Sequence, residues 1–341
     1  MSETLEYRKI IALGASLVVT LPKLWTRSNR LNKGDKVSMK VQRDQTLLVT
    51  PGLVVHEPRR ELNLFVDTGE SENSLIRNIV AGFLDGYTSI KLTSSNFFSI
   101  GQQRAIREVS GGLYMMIVES ESSRITLEIL LDESKTSIET SVERMHLVTY
   151  SMCKDILNSL QDPNRDRLKA AISLEDDVDH LTFLVLRLIR LAAMRPSLAS
   201  QFGLSSIDCL DLQTIVHRIE RIADHVTIIA DSLIGLIERD IRIPEEILSV
   251  LVEAAGVAFS SYDQSVMSFL LRDVTNANEI INEEKEIEDL CMKITPIPYS
   301  GELNDVTSIS HIILIRESIK KVSHYAADIA ELTINRTYNI D

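Results

Sequence analysis

Residues 217–231 read HRIERIADHVTIIAD, and residues 317–331, one hundred positions later, read ESIKKVSHYAADIAE. Both stretches place apolar residues at helical spacing, and both contain an Ile-Ala pair followed by an acid. A basic residue also recurs, at Arg221 and Lys321. Self-similarity at a fixed interval predicts that the C-terminal part of the chain is a duplicated helical unit.

The pattern remains helical from about residue 134 to the end of the chain. Three helices are expected at 134–160, 163–194 and 204–239, and three more at 245–272, 275–294 and 305–337. Asp162 and Pro163 are expected to cap and begin the second helix, and Pro244 to precede the fourth. We therefore expect a domain over 131–341 that contains two three-helix repeats, at about 131–240 and 244–341.

The first fifty residues follow a different pattern, in which short β-branched runs surround one helical turn. We expect strands at 10–13 and 17–21, a short helix at 22–29, and a hairpin of 37–41 and 47–49 that turns at Asp44 and Gln45. A domain of this size, assigned to residues 1–52, buries little surface by itself. Dimerisation is therefore expected.

Residues 53–130 predict a small α/β domain with the order β-α-β-α-β-β. Its strands are expected at 62–66, 89–92, 113–119 and 125–130, and its helices at 72–85 and 100–109. The segment has no Gly-rich phosphate loop and no catalytic constellation. A linker or dimerisation module is expected here.

Charge divides the chain into a basic start and an acidic remainder. Residues 1–52 hold nine Lys and Arg against four Asp and Glu, a net charge of +5, and the remainder holds 27 against 45, a net charge of −18. A small basic module suits a polyanionic partner such as DNA or RNA. The candidate DNA-binding residues are Arg8, Lys9, Lys23, Arg27, Arg30 and Lys33. The alternative is that these residues only keep a small domain soluble.

Composition favours a folded protein, since 44% of the residues are hydrophobic and 25% are charged. The cysteines favour a reducing compartment. Cys153, Cys209 and Cys291 lie far apart, so buried free thiols are expected instead of a disulfide framework or a thiolate metal site. The N-terminus is polar, and the most apolar segment, 181–194, contains two arginines. We expect no signal peptide, no membrane insertion and a cytoplasmic location.

An acidic pair is the candidate metal site of the helical part. Glu220 and Asp224 lie one turn apart on the polar side of the third helix, where like charges repel. A multivalent cation would remove that repulsion, and Asp176, Asp179 or His180 of the preceding helix could complete the ligand set. The alternative is a solvated acidic face that Arg218 and Arg221 neutralise. Spacing leaves both possibilities open.

Two runs near the N-terminus carry a family resemblance. Gly14, the run LVVTLPK at 17–23 and the run LNKGDKV at 31–37 resemble the AbrB/SpoVT family of swapped-hairpin DNA-binding domains. The resemblance implies that two chains interleave their hairpins into one β-barrel, with basic residues facing DNA. Ala15 and Ser16 depart from the polar or basic pair of many members, which affects sequence preference.

Residues from about 134 to 337 resemble PhoU, whose two three-helix repeats each carry an E(D)-x-x-x-D signature. The run RIERIADH at 218–225 is a close match, whereas Lys320 and His324 stand at the acidic positions of the second repeat. A protonated lysine cannot ligate a cation. The resemblance implies that the first repeat binds iron, zinc or a similar metal and that the protein regulates phosphate uptake.

Taken together, these features indicate a multi-domain, mainly α protein: an AbrB-like swapped-hairpin β-barrel, a small α/β middle domain and a PhoU-like pair of three-helix bundles. Such a chain resembles the AbrB–PhoU fusion regulators typical of archaea. A DNA-binding transcriptional regulator of phosphate uptake is expected. The expected partners are DNA, a second copy or a higher homo-oligomer, and components of a phosphate ABC transporter.

Two other functions have to be weighed against this one. The first is a PhoU-type adaptor that restrains a phosphate transporter without binding DNA. The second is an enzyme such as a metal-dependent phosphatase, for which no Gly-x-Ser-x-Gly, P-loop or H-E-x-x-H motif is present. We therefore expect no enzymatic activity.

Overall fold

The computed structural model describes residues 6–41, 45–52, 60–294 and 306–338. The chain divides into two compact units, a small one that covers residues 1–58 and a large one that begins at residue 59.

The small unit consists of two antiparallel hairpins with a short helix between them in sequence. Its elements are β1 (Ile11–Leu13), β2 (Ser16–Val18), α1 (Lys23–Ser28), β3 (Val37–Val41) and β4 (Leu47–Pro51). β1 pairs with β2 and β3 pairs with β4, which confirms the predicted order of strands and helix. The turn predicted at Asp44 and Gln45 lies partly outside the described residues, since only Gln45 is described.

Helix α1 ends in a Schellman motif. Arg30 adopts the left-handed conformation with φ +52°, its N–H donates to the Arg27 carbonyl (3.0 Å), and the Leu31 N–H donates to the Thr26 carbonyl (2.9 Å). This pair of bonds satisfies carbonyls that the end of a helix would otherwise leave free. The chain is thereby turned from α1 towards β3.

Apolar side chains of the small unit stay exposed within one chain. Leu17 is 75% exposed, Ile10 70%, Leu13 69% and Val41 69%, and none of the unit's described residues is fully buried. The described strands form two separate two-stranded sheets. The β-barrel of hairpins interleaved from two chains stays a prediction.

The large unit begins with the α/β domain. Its elements are β5 (Glu61–Phe65), α2 (Glu72–Leu84), β6 (Ser89–Thr93), α3 (Ile100–Gly112), β7 (Met115–Ser120) and β8 (Arg124–Ile129). The sheet order is β5-β6-β8-β7, with β5 and β6 parallel and the other neighbours antiparallel. Ser71 and Ser99 cap the two helices, as short polar side chains do. The predicted β-α-β-α-β-β order is confirmed.

The rest of the large unit is helical. It contains α4 (Ile138–Gln161), α5 (Arg165–Ser173), α6 (Glu175–Met194), α7 (Pro196–Phe202), α8 (Ser206–Ile237), α9 (Glu245–Leu271), α10 (Val274–Lys293) and α11 (Val306–Thr337). A long helix lies in each of the six predicted segments. One apolar core runs through the bundle, as the periodic apolar stripes predict.

The second predicted helix differs in detail, because α5 and α6 are separate helices that meet at Leu174. Three acids, Glu175 to Asp177, follow that residue and favour a new helix N-terminus. The cap of α5 is Asn164, whose Oδ1 accepts from two backbone N–H groups; Asp162, the predicted cap, instead ends α4. The short helix α7 was not predicted.

Helices α8 and α11 pack against each other with an internal two-fold relation. The Arg218 guanidinium lies 5.3 Å from the centre of the Tyr325 ring, and His225 Nδ1 lies 3.3 Å from Ser318 Oγ. Ser318 and Tyr325 are the counterparts of Arg218 and His225, one hundred positions later. Contacts that exchange in this way characterise isologous packing, here within one chain. The predicted duplication is therefore visible in the packing.

The α/β domain docks onto α6 through the C-terminal end of α2. Arg187 of α6 is fully buried; it bonds the Glu133 carboxylate through Nε (2.9 Å) and Nη2 (2.5 Å) and the Phe83 carbonyl through Nη1. Gly86 has φ +83°, and a Cβ there would lie 2.5 Å from Leu191 Cδ2 of α6. A buried ion pair and a close backbone approach therefore fix this junction.

All three cysteines are free and buried, with 0%, 4% and 5% exposure for Cys153, Cys209 and Cys291. Burial raises the pKa of the Cys291 thiol to about 11 and also raises the pKa values of Cys153 and Cys209. The predicted buried free thiols are confirmed.

Candidate nucleic-acid interface and candidate metal centre

The candidate DNA-binding side chains are exposed on the small unit. Lys23 and Arg27 lie four residues apart on α1 and therefore share one face of that helix. Arg30 sits at the left-handed residue after α1, and Lys33 lies in the turn that follows. Arg8 and Lys9 precede β1, where Arg8 forms an ion pair with Glu6.

One basic residue of this region was missed from the sequence. Lys36 lines an open cleft of about 370 Å³ together with Arg30, between the end of α1 and the end of the β3–β4 hairpin. The Asp35 carboxylate accepts from the Asn32 N–H (2.6 Å) and so fixes the turn beside it. The signal was available, because Lys36 directly follows the Gly34-Asp35 turn.

The candidate metal residues of α6 and α8 lie close enough to act on one another. Burial raises the pKa of both Asp179 and Glu220, and the neighbouring Asp224 carboxylate raises each further. The pKa of Glu175 is also raised, first by burial and then by Asp179. Glu175 was missed from the sequence, although it stands one turn before Asp179 and so shares its face.

Only one of the two arginines expected to neutralise this cluster does so. Arg221 Nη1 lies 3.0 Å from Asp224 Oδ2, and Arg221 Nε lies 3.6 Å from Glu220 Oε2. Arg218 turns to α11 instead, where its Nε lies 2.9 Å from Asp328 Oδ2 in an ion pair too poorly aligned for a hydrogen bond. The cluster therefore keeps an excess of negative charge.

The two remaining candidates sit at the edge of the cluster. Asp176 is exposed, and the His180 ring packs against α3 so closely that a Cβ at Gly112 would lie 2.5 Å from its Nε2. Across the part of the chain that is described, no group of three or more His, Cys, Asp or Glu side chains is arranged to hold a metal ion. Carboxylate oxygens are the ligand type that a hard cation prefers, but these side chains are not arranged to coordinate one together.

The second repeat has a lysine and a histidine at the corresponding place. Lys320 Nζ lies 2.9 Å from Glu288 Oε1, and His324 Nδ1 forms an ion pair with Glu284. The hydrogen bond between Lys320 and Glu288 lowers the pKa of Glu288 and raises that of Lys320. Both contacts join α11 to α10.

The PhoU domain family model matches residues 142–233 and 251–333, which together make up just over half of the chain. The chain belongs to the PhoU family. One match falls within each helical repeat, so α4 to α8 and α9 to α11 are two PhoU repeats.

Two solved PhoU structures share this fold. One is PhoU from Pseudomonas aeruginosa, with a TM-score of 0.50 and 17% identity. The other is the phosphate transport system regulatory protein PhoU from Streptococcus pneumoniae, with a TM-score of 0.50 and 15% identity. Each match covers 60% of this chain and 96% of the other. The PhoU body of this chain thus corresponds to nearly the whole length of those proteins.

The N-terminal segment matches a second family model, described as antidote-toxin recognition MazE, bacterial antitoxin, over residues 12–54. The predicted AbrB-type domain is thereby confirmed as an AbrB/MazE-like domain ahead of the PhoU body. No curated protein matches the chain in sequence. None of the helices in the described ranges combines the length and the apolar character needed to cross a membrane.

Proposed function

We propose that this PhoU-family protein is a DNA-binding transcriptional regulator of phosphate uptake. The carrying observation is the joining, in one chain, of an AbrB/MazE-like domain and a complete pair of PhoU repeats. The N-terminal domain docks on DNA in the cytoplasm, and the PhoU body receives the phosphate-status signal. The protein acts by binding and has no catalytic activity of its own.

Charge and exposure in the small unit support the DNA-binding half of the proposal. Its six candidate residues present cationic side chains to solvent, and the segment that carries them, residues 1–52, has a net charge of +5. Contacts to phosphates need such side chains and carry no sequence information, so they position a protein on the duplex. The exposed leucines and isoleucines of the two hairpins support assembly with a second copy, which would cover them.

The rival function is a PhoU-type adaptor that restrains a phosphate transporter, with the small unit serving only to dimerise the protein. Salt-dependent DNA binding separates the two. If a dimer neutralises about four phosphates, the slope of log K against log salt is about −3.6. No detectable DNA binding even at low salt would favour the adaptor.

The decisive variant reverses Arg8, Arg27 and Arg30 to Glu in the full chain. We expect it to lose DNA binding and to remain dimeric. The matched control reverses Arg77, Arg104 and Arg107, three exposed arginines of the α/β domain, and so changes the net charge equally. Equal loss in both variants would show that only the total charge matters. Mapping bound DNA across the genome at high and low phosphate then tests the link to phosphate.

A metal in the first PhoU repeat is the second part of the proposal. The ligands would be Glu220, Asp224 and Asp179, with Asp176 or His180 completing the set. The support is electrostatic: half-buried carboxylates raise one another's pKa, and a bound cation offsets that repulsion. Its role would be to hold α6 against α8.

A further inference from the structure

Positions in the two repeats can be matched one to one. Val178 and Leu181 of α6 are buried, as are Ile287 and Leu290 of α10, and residues 175–179 follow the same order of exposure as residues 284–288. Under this match, Glu175 corresponds to Glu284 and Asp179 to Glu288. On the third helices, Glu220 corresponds to Lys320 and Asp224 to His324.

The two junctions share a pair of acids on one helix and differ elsewhere, since Lys285 and Asp289 of α10 stand where Asp176 and His180 stand in α6. The contributions from α6 and α10 are the same, two half-buried acids one turn apart. The contributions from α8 and α11 differ in kind, because two acids in the first repeat are replaced by a lysine and a histidine, Lys320 and His324, in the second. Each replacement contacts one matched acid: Lys320 contacts Glu288 at 2.9 Å and His324 contacts Glu284.

We infer that Lys320 and His324 are built-in substitutes for a cation, so that the second repeat holds α10 against α11 without any metal. This inference rests on the proposed function, because it compares the second repeat with a cation site proposed in the first. The contacts of Lys320 and His324 themselves support it. Chance surface pairs would fall anywhere on two long helices. Here both fall at the two signature positions and both use the matched acids.

The neighbouring residue strengthens the correspondence. Lys321 stands where Arg221 stands in the first repeat, and both are exposed cations beside the signature positions. Replacing Lys320 and His324 by acids would therefore give the second repeat the same four central acids, and the same neighbouring cation, as the first. The consequence for regulation is an asymmetric body: the second repeat is permanently closed by its own side chains, and only the first responds to cations.

The test is a gain of metal binding in the full chain carrying Lys320→Glu with His324→Asp. The probe is Mn²⁺, which prefers carboxylate ligands, and the readout is the number of ions bound per chain after dialysis. We expect one ion more than the wild type binds, and an unfolding temperature that falls when EDTA is added. Lys321→Glu, an acid at the adjacent exposed position, is the control and should bind no additional ion.

Two further results keep the inference separate from the metal of the first repeat. A wild type without metal and a double variant with one ion would refute the first-repeat site and support the inference. A wild type and a double variant with equal metal would refute the inference. If the double variant does not fold, Lys320→Gln with His324→Gln is used instead. It should speed hydrogen exchange in α10 with or without Mn²⁺, and unchanged exchange would overturn the inference.

Discussion

At the scale of single residues, burial and mutual repulsion disfavour the ionised form of the first repeat's carboxylates, such as Asp179 and Glu220. The pKa of Glu220 is raised from its ordinary value of 4.5, chiefly by burial and then by Asp224. A raised pKa means that the folded state gains stability below the ordinary value and loses it as the pH rises through the folded value. At neutral pH this residue therefore opposes folding.

In metal-free protein, prepared with EDTA, Glu220→Gln is accordingly expected to increase stability at pH 7. The gain should be about 0.5 kcal/mol, the scale of a like-charge pair one helical turn apart, and should disappear below the ordinary pKa. Urea unfolding at pH 7 and at about pH 4 measures both values. A less stable variant at pH 7 would contradict this account.

Glu288→Gln is the matched control for that measurement. Its pKa is lowered by the hydrogen bond from Lys320, so its carboxylate favours folding above the ordinary pKa and loses that effect as the pH falls. The substitution should therefore destabilise the protein at pH 7, opposite in sign to Glu220→Gln. Equal signs would show that the two repeats do not differ electrostatically.

Metal content is predicted to depend on the first repeat. Glu220→Ala with Asp224→Ala removes the two signature carboxylates and should abolish bound metal in elemental analysis after mild purification. Asp231→Ala with Glu253→Ala removes two exposed acids outside the cluster and should leave the content unchanged. Equal metal in the signature variant and the wild type would place the ion elsewhere.

Helical periodicity predicts which acids share a face, and so it found Glu220, Asp224 and Asp179. The same periodicity could have found Glu175, one turn before Asp179, but it does not predict how α6 is rotated against α8. The ion partner of Arg187 lies 54 residues away, and the partner of Lys320 lies on a different helix. Such pairs depend on tertiary packing and have no local signal.

Among the elements, α6 connects the PhoU body to the α/β domain. Arg187→Met would leave the mostly buried Glu133 carboxylate without its main partner, which typically costs about 3–5 kcal/mol. Adding Glu133→Gln should restore much of that loss, because no buried charge then remains unpaired. Urea unfolding of both variants measures the difference. A double variant no more stable than Arg187→Met would show that packing alone explains the cost.

The close approach at Gly86 gives a second test of the same junction. Gly86→Ala should destabilise the protein by at least about 1–2 kcal/mol, since it forces a left-handed alanine and also crowds Leu191. Gly111→Ala in α3 is the control, because its Cβ would meet no atom within 4 Å and helical alanine is favoured. Thermal unfolding should shift in opposite directions for the two variants.

Most elements could be predicted because apolar period and turn residues act locally. The β-α-β-α-β-β order and the six long helices follow from such signals. The break at Leu174 could not be predicted, because the helical pattern of apolar residues continues across it from α5 into α6. The junction of α2 with α6 has no sequence signature, since it depends on Arg187, Gly86 and Glu133 meeting in space.

On the scale of the whole molecule, α6 carries two acids of the first repeat's cluster, Glu175 and Asp179, and also contacts the α/β domain. A change at the acids can therefore reach the segment that leads to the N-terminal domain, which we propose binds DNA. Allosteric coupling of this kind is typically about 1–3 kcal/mol, or roughly 5- to 150-fold in affinity. The net charge of −18 on residues 53–341 adds a repulsion towards DNA.

We predict that residues 1–60 alone bind DNA at least as tightly as the full chain, when both are compared as dimers at equal salt. Metal or effector should change affinity only in the full chain. Titration of one labelled duplex with both proteins gives the comparison. A fragment that dimerises normally but binds tenfold more weakly would show that the body contributes to binding.

Because the three native cysteines are buried, the unmodified chain should give little background in thiol labelling. Thiol reagents react with an exposed thiolate, and Cys153, Cys209 and Cys291 offer neither exposure nor a low pKa. A cysteine introduced at an exposed position such as Asn78 would then be the only reactive thiol in each copy. In a symmetric dimer, one substitution places two spin labels, and the distance between them reports directly on how the copies are arranged with and without DNA.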